Sequence, residues 1–132
     1  PQIIKSFLSN TNLPLTQGKQ KINFTYIQDI VDAYIKAIEY INSVPTPVSE
    51  TFNIGAGKTY SIINIVKMLG KISGKSGNIQ LGALPMPSNE IMYMNCNFAK
   101  AKKMLGWKPN VDLYEGLKHT YNYYLENKRK DL

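Results

Sequence analysis

Residues 52–61 read Phe52-Asn53-Ile54-Gly55-Ala56-Gly57-Lys58-Thr59-Tyr60-Ser61. The Gly-Lys-Thr inside this stretch resembles the heart of a phosphate-binding loop, and its reading decides what kind of α/β protein this is. A G-x-x-x-x-G-K-[ST] loop needs its first glycine five residues before the second. With Gly57 as the second, that position is Phe52, whose side chain blocks the open backbone that turns N–H groups onto phosphate oxygens. The dinucleotide fingerprint G-x-G-x-x-G also fails by one residue: Gly55 and Gly57 fit, but the third position is Tyr60. What is left is a glycine turn between a strand over 51–54 (from Glu50 at the earliest) and a helix from Ser61 to about Ser73. In this reading Lys58 and Thr59 are exposed rather than catalytic, and Phe52 is buried.

The flanking sequence extends the same pattern. Ser61 suits a helix N-cap, and Ile62, Ile65, Val66, Leu69 and Ile72 follow at core spacing. Upstream, residues 1–10 read as a short helix, and Leu13 to Thr16 as an extended piece closed by a turn at Gln17 and Gly18. Residues 22–26 alternate apolar and polar, the pattern of a half-buried strand. The spacing predicts a helix over 28–41 with Ile27, Ile30, Val31, Tyr34, Ile35, Ile38 and Ile41 on one wide apolar face. That face is read as packing against a sheet, with Asp29 and Asp32 favourably placed in the first turn. Pro45 and Pro47 end the segment. A short strand over 79–84, a helix over 98–105 stopped by Gly106, and a last helix over 113–127 complete the chain. His119 falls off the apolar face of that last helix and reads as a surface residue.

Composition narrows the function. A chain of 132 residues with 43% hydrophobic content fits one folded domain. No run of 18 apolar residues spans a membrane, and the first residues lack the regions of a signal peptide, so a cytoplasmic protein is expected. The single cysteine, Cys96, excludes an internal disulfide and a zinc-ligand cluster. The net charge is +7, but 15 of the 16 basic residues are lysine. They are dense only at Lys100, Lys102, Lys103 and at the tail Lys128-Arg129-Lys130. A single arginine is poor equipment for bidentate readout of bases or phosphates, so a solvated lysine surface is expected and nucleic acid is not an expected partner. One histidine and one cysteine, 23 positions apart, do not suggest a nucleophilic pair. A catalytic tyrosine–lysine pair is read as absent. The residues alone describe an α/β domain without its own active site or metal.

The order of short motifs adds a resemblance. Gly18-Lys19-Gln20 precedes Phe24-Thr25-Tyr26-Ile27-Gln28-Asp29-Ile30-Val31-Asp32-Ala33. Then come Phe52-Asn53-Ile54-Gly55-Ala56-Gly57, a helix from Ser61, Pro87-Ser88-Asn89-Glu90, and finally a helix running into Leu105-Gly106-Trp107-Lys108-Pro109. This series resembles the C-terminal part of the NAD-dependent epimerase/dehydratase family, the extended short-chain dehydrogenases that act on nucleotide sugars. Gly82-Ala83-Leu84-Pro85 and Glu90-Ile91-Met92 resemble most the CDP-dideoxysugar synthases and related 4-keto reductases.

The resemblance implies an α/β fold of short strands with about four to five helices. Residues 1–132 would form a nucleotide-sugar-binding portion without the NAD(P)-binding Rossmann core. The glycine fingerprint and the catalytic Tyr-x-x-x-Lys would lie in that missing part, so this chain alone would be inactive and bind no cofactor. NAD(P) is implied only for the complete protein. The helix at 29–41 and the strand at 51–54 would join the layers of the cofactor domain, which predicts an uncovered apolar face and possible self-association. Leu15 and Thr16 match the stretch that lies against the nucleotide base, and Thr16, Asn53 and Glu90 are candidate ligand contacts. The family's two diphosphate-clamping arginines fall on Ile22 and Pro87, and Gln28 replaces a common aspartate. A charge-assisted hydrogen bond is worth roughly 1.5–3 kcal/mol. Loss of both clamps would therefore weaken diphosphate binding by about two or more powers of ten. Lys19 and Lys21 would compensate only partly, Lys21 pointing away from Ile22 across the strand. A non-catalytic interaction module of the same fold is the alternative.

Overall fold

The computed structural model describes residues 1–130, with side chains up to Asn127. The basic tail Lys128, Arg129 and Lys130 lies outside the described side chains. In chain order the elements are α1 (Gln2–Ser9), β1 (Leu13–Leu15), β2 (Lys21–Asn23), α2 (Ile27–Ser43), β3 (Thr59–Ser61), α3 (Ile62–Ser73), β4 (Ile79–Leu81), β5 (Tyr93–Met94), α4 (Ala99–Leu105) and α5 (Leu113–Lys130). The strands form two small sheets. β1 pairs in parallel with β4, Leu13 opposite Ile79. β2 is the centre of the other sheet, antiparallel to β3 (Ile22 opposite Tyr60) and parallel to β5 (Ile22 opposite Met94).

Local chemistry sets the helix ends. Ser61 Oγ accepts from Asn64 N–H at 3.2 Å while Asn64 Oδ1 accepts from Ser61 N–H at 3.1 Å, a reciprocal capping box that starts α3. Gly74 at φ 66° and Gly106 at φ 63° end α3 and α4 in the left-handed conformation. Two apolar clusters hold the elements together. Ile4, Phe7, Ile65, Leu69 and Tyr121 join α1, α3 and α5, with Leu113, Leu117, Tyr124 and Leu125 from the expected face of α5 packed around them. Ala33, Ala101, Leu105 and Trp107 join α2 to α4, with Phe52, Ile54 and Phe98 at the margin.

Several sequence expectations are corrected here. Among the described residues, 51–54 pair with no strand, so they are no strand, and Phe52 is half-buried rather than buried. The strand lies instead at Thr59–Ser61, where a turn was expected, because β2 supplies its partner there. The strand expected over 22–26 is confined to Lys21–Asn23, and the one over 79–84 to Ile79–Leu81. β5 was not anticipated. The largest departure concerns α2. Its small face, Ala33 and Ala37, packs on α4, where alanines let the two helices approach closely. The large apolar residues expected to pack are exposed instead: Ile27, Val31, Tyr34, Ile35, Ile38 and Ile41 range from 42% to 70% exposed, and only Ile30 is half-buried.

Candidate functional site

The turn at Gly55 to Lys58 is held by side chains rather than shaped around a ligand. Asn23 Oδ1 accepts from Ala56 N–H at 3.0 Å and from Thr25 Oγ1–H at 3.1 Å, and Thr25 Oγ1 shares the Ala56 N–H at 3.1 Å. The Asn23 amide donates to the Lys58 carbonyl and to Asn95 Oδ1, both at 3.2 Å. The backbone donor a phosphate would need at Ala56 is therefore already in use. Gly55 is required for close approach, since a Cβ there would sit 2.5 Å from Cys96 Cβ. Gly57 is required by its φ of +71°. Lys58 is exposed as expected, while Thr59 is half-buried in β3.

The candidate ligand residues divide into two groups. Leu15 ends β1, and its carbonyl accepts from Leu84 N–H at 3.0 Å; the Thr16 carbonyl accepts from Gly82 N–H at 3.0 Å. The segment after β4 thus begins fastened to Leu15 and Thr16. It turns at Pro87 to Glu90, where Glu90 N–H donates to the Pro87 carbonyl at 3.2 Å. It ends alongside β2, where Lys21 N–H donates to the Met92 carbonyl at 2.9 Å and Ile22 faces Met94. Leu15, Thr16, Ile22, Pro87 and Glu90 therefore lie along one continuous path between the two sheets. Glu90 is half-buried, and among the described residues no side chain pairs with its carboxylate. Asn53 is not part of this group. It is exposed, while its neighbours Phe52 and Ile54 pack on the α2–α4 cluster.

Charge at the path is sparse. Ile22 is half-buried and Pro87 exposed, and neither can offer a cation. Lys21 is exposed and in register with Ser61 and Tyr93, so the pleat turns it to the face opposite Ile22, as expected.

Asp29 is the residue whose role the sequence concealed. It is 2% exposed, and its two carboxylate oxygens accept from Asn110 N–H at 3.0 Å and Val111 N–H at 3.2 Å. Its backbone carbonyl accepts from the Trp107 indole N–H at 2.8 Å. Asp29 thus fastens the Gly106-Trp107-Lys108-Pro109 turn to the start of α2, across roughly eighty residues of sequence that no local pattern bridges.

Two further titratable groups, Cys96 and His119, stand apart from this path. Burial pushes the Cys96 thiol above its ordinary value, away from a reactive thiolate. His119 stands on α5 with its Nε2 3.9 Å from Glu115 Oε2 and its ring 5.6 Å from that of Tyr26. The expected absence of Tyr-x-x-x-Lys is corrected by the sequence itself, which carries that spacing at Tyr114–Lys118 and Tyr124–Lys128. Both lie on α5. Tyr114 is exposed, and Lys118 Nζ is 3.8 Å from Glu115 Oε1 on the solvent side. Among the described residues, no group of three or more His, Cys, Asp or Glu is placed to hold a metal ion, and no helix is long and apolar enough to cross a membrane.

Comparison with known proteins follows the same lines. CDP-abequose synthase of Salmonella muenchen is 30% identical over 119 residues, covering 89% of this chain and 39% of that protein. UDP-glucuronate 4-epimerase of Thermodesulfobacterium geofontis is 32% identical over 111 residues, covering 83% of this chain and 32% of that protein. The crystal structure of UDP-glucuronic acid 4-epimerase from Bacillus cereus, in complex with UDP-glucuronic acid and NAD, superposes with a TM-score of 0.82 at 31% identity, covering 95% of this chain and 38% of that one. No protein-family model matches the chain. The chain spans 32% to 39% of the length of these relatives. By sequence and fold together, the chain is similar to the nucleotide-sugar epimerases and dehydratases, extended short-chain dehydrogenases, over about 38% of their length, consistent with a C-terminal part.

Proposed function

We propose that this chain is the substrate-binding part of an NAD(P)-dependent nucleotide-sugar epimerase, dehydratase or reductase. Leu15, Thr16 and Glu90 would line the ligand, and Asn53 would make a separate contact. The single observation that carries this reading is the match over 95% of the chain to an epimerase solved with a nucleotide sugar and NAD. NAD(P), when bound by the complete protein, supplies hydride transfer. This chain contributes binding and orientation, and by itself it is inactive.

The partner domain in this reading docks on α2. Among the described residues, the backbone of residues 51–54 makes no hydrogen bond. Beside it an apolar cavity of about 350 Å³ is lined by Ile30, Ala33, Tyr34, Ala37, Phe52, Ile54 and Leu105. A backbone segment with unused donors, next to an apolar helix face, suits addition to the edge of a sheet that a nucleotide-binding domain would provide.

A second reading, a non-catalytic interaction module of the same fold, is favoured by Ile22 and Pro87 at the clamp positions. Calorimetric titration with UDP-glucose and CDP-glucose separates the two. The native chain should bind weaker than about 1 mM, and Ile22→Arg with Pro87→Arg should strengthen binding at least tenfold, since each charge-assisted bond is worth roughly 1.5–3 kcal/mol. Binding by the native chain much tighter than millimolar would refute the loss of the clamp. No gain from the double arginine variant would leave the interaction module as the better account.

A further inference from the structure

We draw no further inference here: the strongest candidate, the apolar groove of about 410 Å³ between α1, α3 and α5 that opens beside Ile27, is an unpartnered face, and nothing in the structure shows what covers it.

Discussion

Replacing Asp29 by alanine tests whether the buried carboxylate is the fastening it resembles. The side chain accepts two backbone hydrogen bonds, at 3.0 Å and 3.2 Å, and is 2% exposed. Hydrogen bonds to a charged group contribute about 1.5–3 kcal/mol each, so deleting both costs about 3–6 kcal/mol before relaxation. The two amides are only partly buried, so water recovers some of this, and a net loss of about 2–4 kcal/mol is expected. Asp29→Asn keeps the volume and one acceptor but turns an NH₂ toward the second amide, and should lose about half as much. Set against a total stability of about 5–15 kcal/mol, either loss is easy to measure. The assay is urea unfolding at fixed protein concentration, followed by far-ultraviolet circular dichroism and by the fluorescence of Trp107, the chain's one tryptophan. With a urea slope of about 1–3 kcal/mol/M, a loss of about 3 kcal/mol lowers the midpoint by about 1–3 M. The bond from the Trp107 indole goes to the Asp29 backbone carbonyl and survives either substitution. The folded variants should therefore keep the native emission maximum. An alanine variant within about 0.5 kcal/mol of the parent, or an asparagine variant less stable than alanine, would refute the reasoning.

Three further outcomes follow from the same geometry. Ser61→Ala removes one half of the capping box and should cost about 1 kcal/mol, read as a lower urea midpoint with an unchanged slope. Gly57→Ala should cost clearly more than Gly74→Ala: both have positive φ, but a Cβ at Gly57 would lie 2.7 Å from Phe98 Cε1, while one at Gly74 meets nothing within 4 Å. Equal losses for the two would remove the packing argument. Ile38→Lys, on the exposed face of α2, should change unfolding stability by less than about 0.5 kcal/mol. It should also abolish any concentration-dependent association seen by sedimentation, and persistent association in that variant would place the contact elsewhere.

How far the sequence could be read depended on whether the controlling partner was local. α3 was legible at both ends because Ser61 and Gly74 carry their signals within a turn of the helix they bound. The helical character of α2 was equally plain, but its burial was not. A period near 3.6 says that one face is apolar; it does not say what covers that face, and here the alanines do the packing while the isoleucines stand in solvent. Strand positions were the weakest part. Residues 51–54 have strand-forming composition without a partner, whereas Thr59–Ser61 looks like a turn and is a strand because β2 lies beside it. At the candidate site, Leu15, Thr16 and Glu90 fall along one backbone path, a juxtaposition no sequence pattern showed, and Asn53 does not join them. Asp29 read as a charge at a helix start, because its amide partners lie at residues 110 and 111.

The parallel pairings carry a consequence for how this chain acquires its shape. β1 waits for β4 at residues 79–81, β2 waits for β5 at residues 93–94, and Asp29 waits for Asn110. Within this chain β2 can meet β3 once residues 59–61 are made, but the β1–β4 sheet needs residues 79–81 and the β2–β5 pairing needs residues 93–94. Contacts of such long sequence separation slow folding through the entropy of loop closure. Refolding from urea should accordingly be slower than for a helical bundle of the same length, with the isoleucine face of α2 open to solvent throughout.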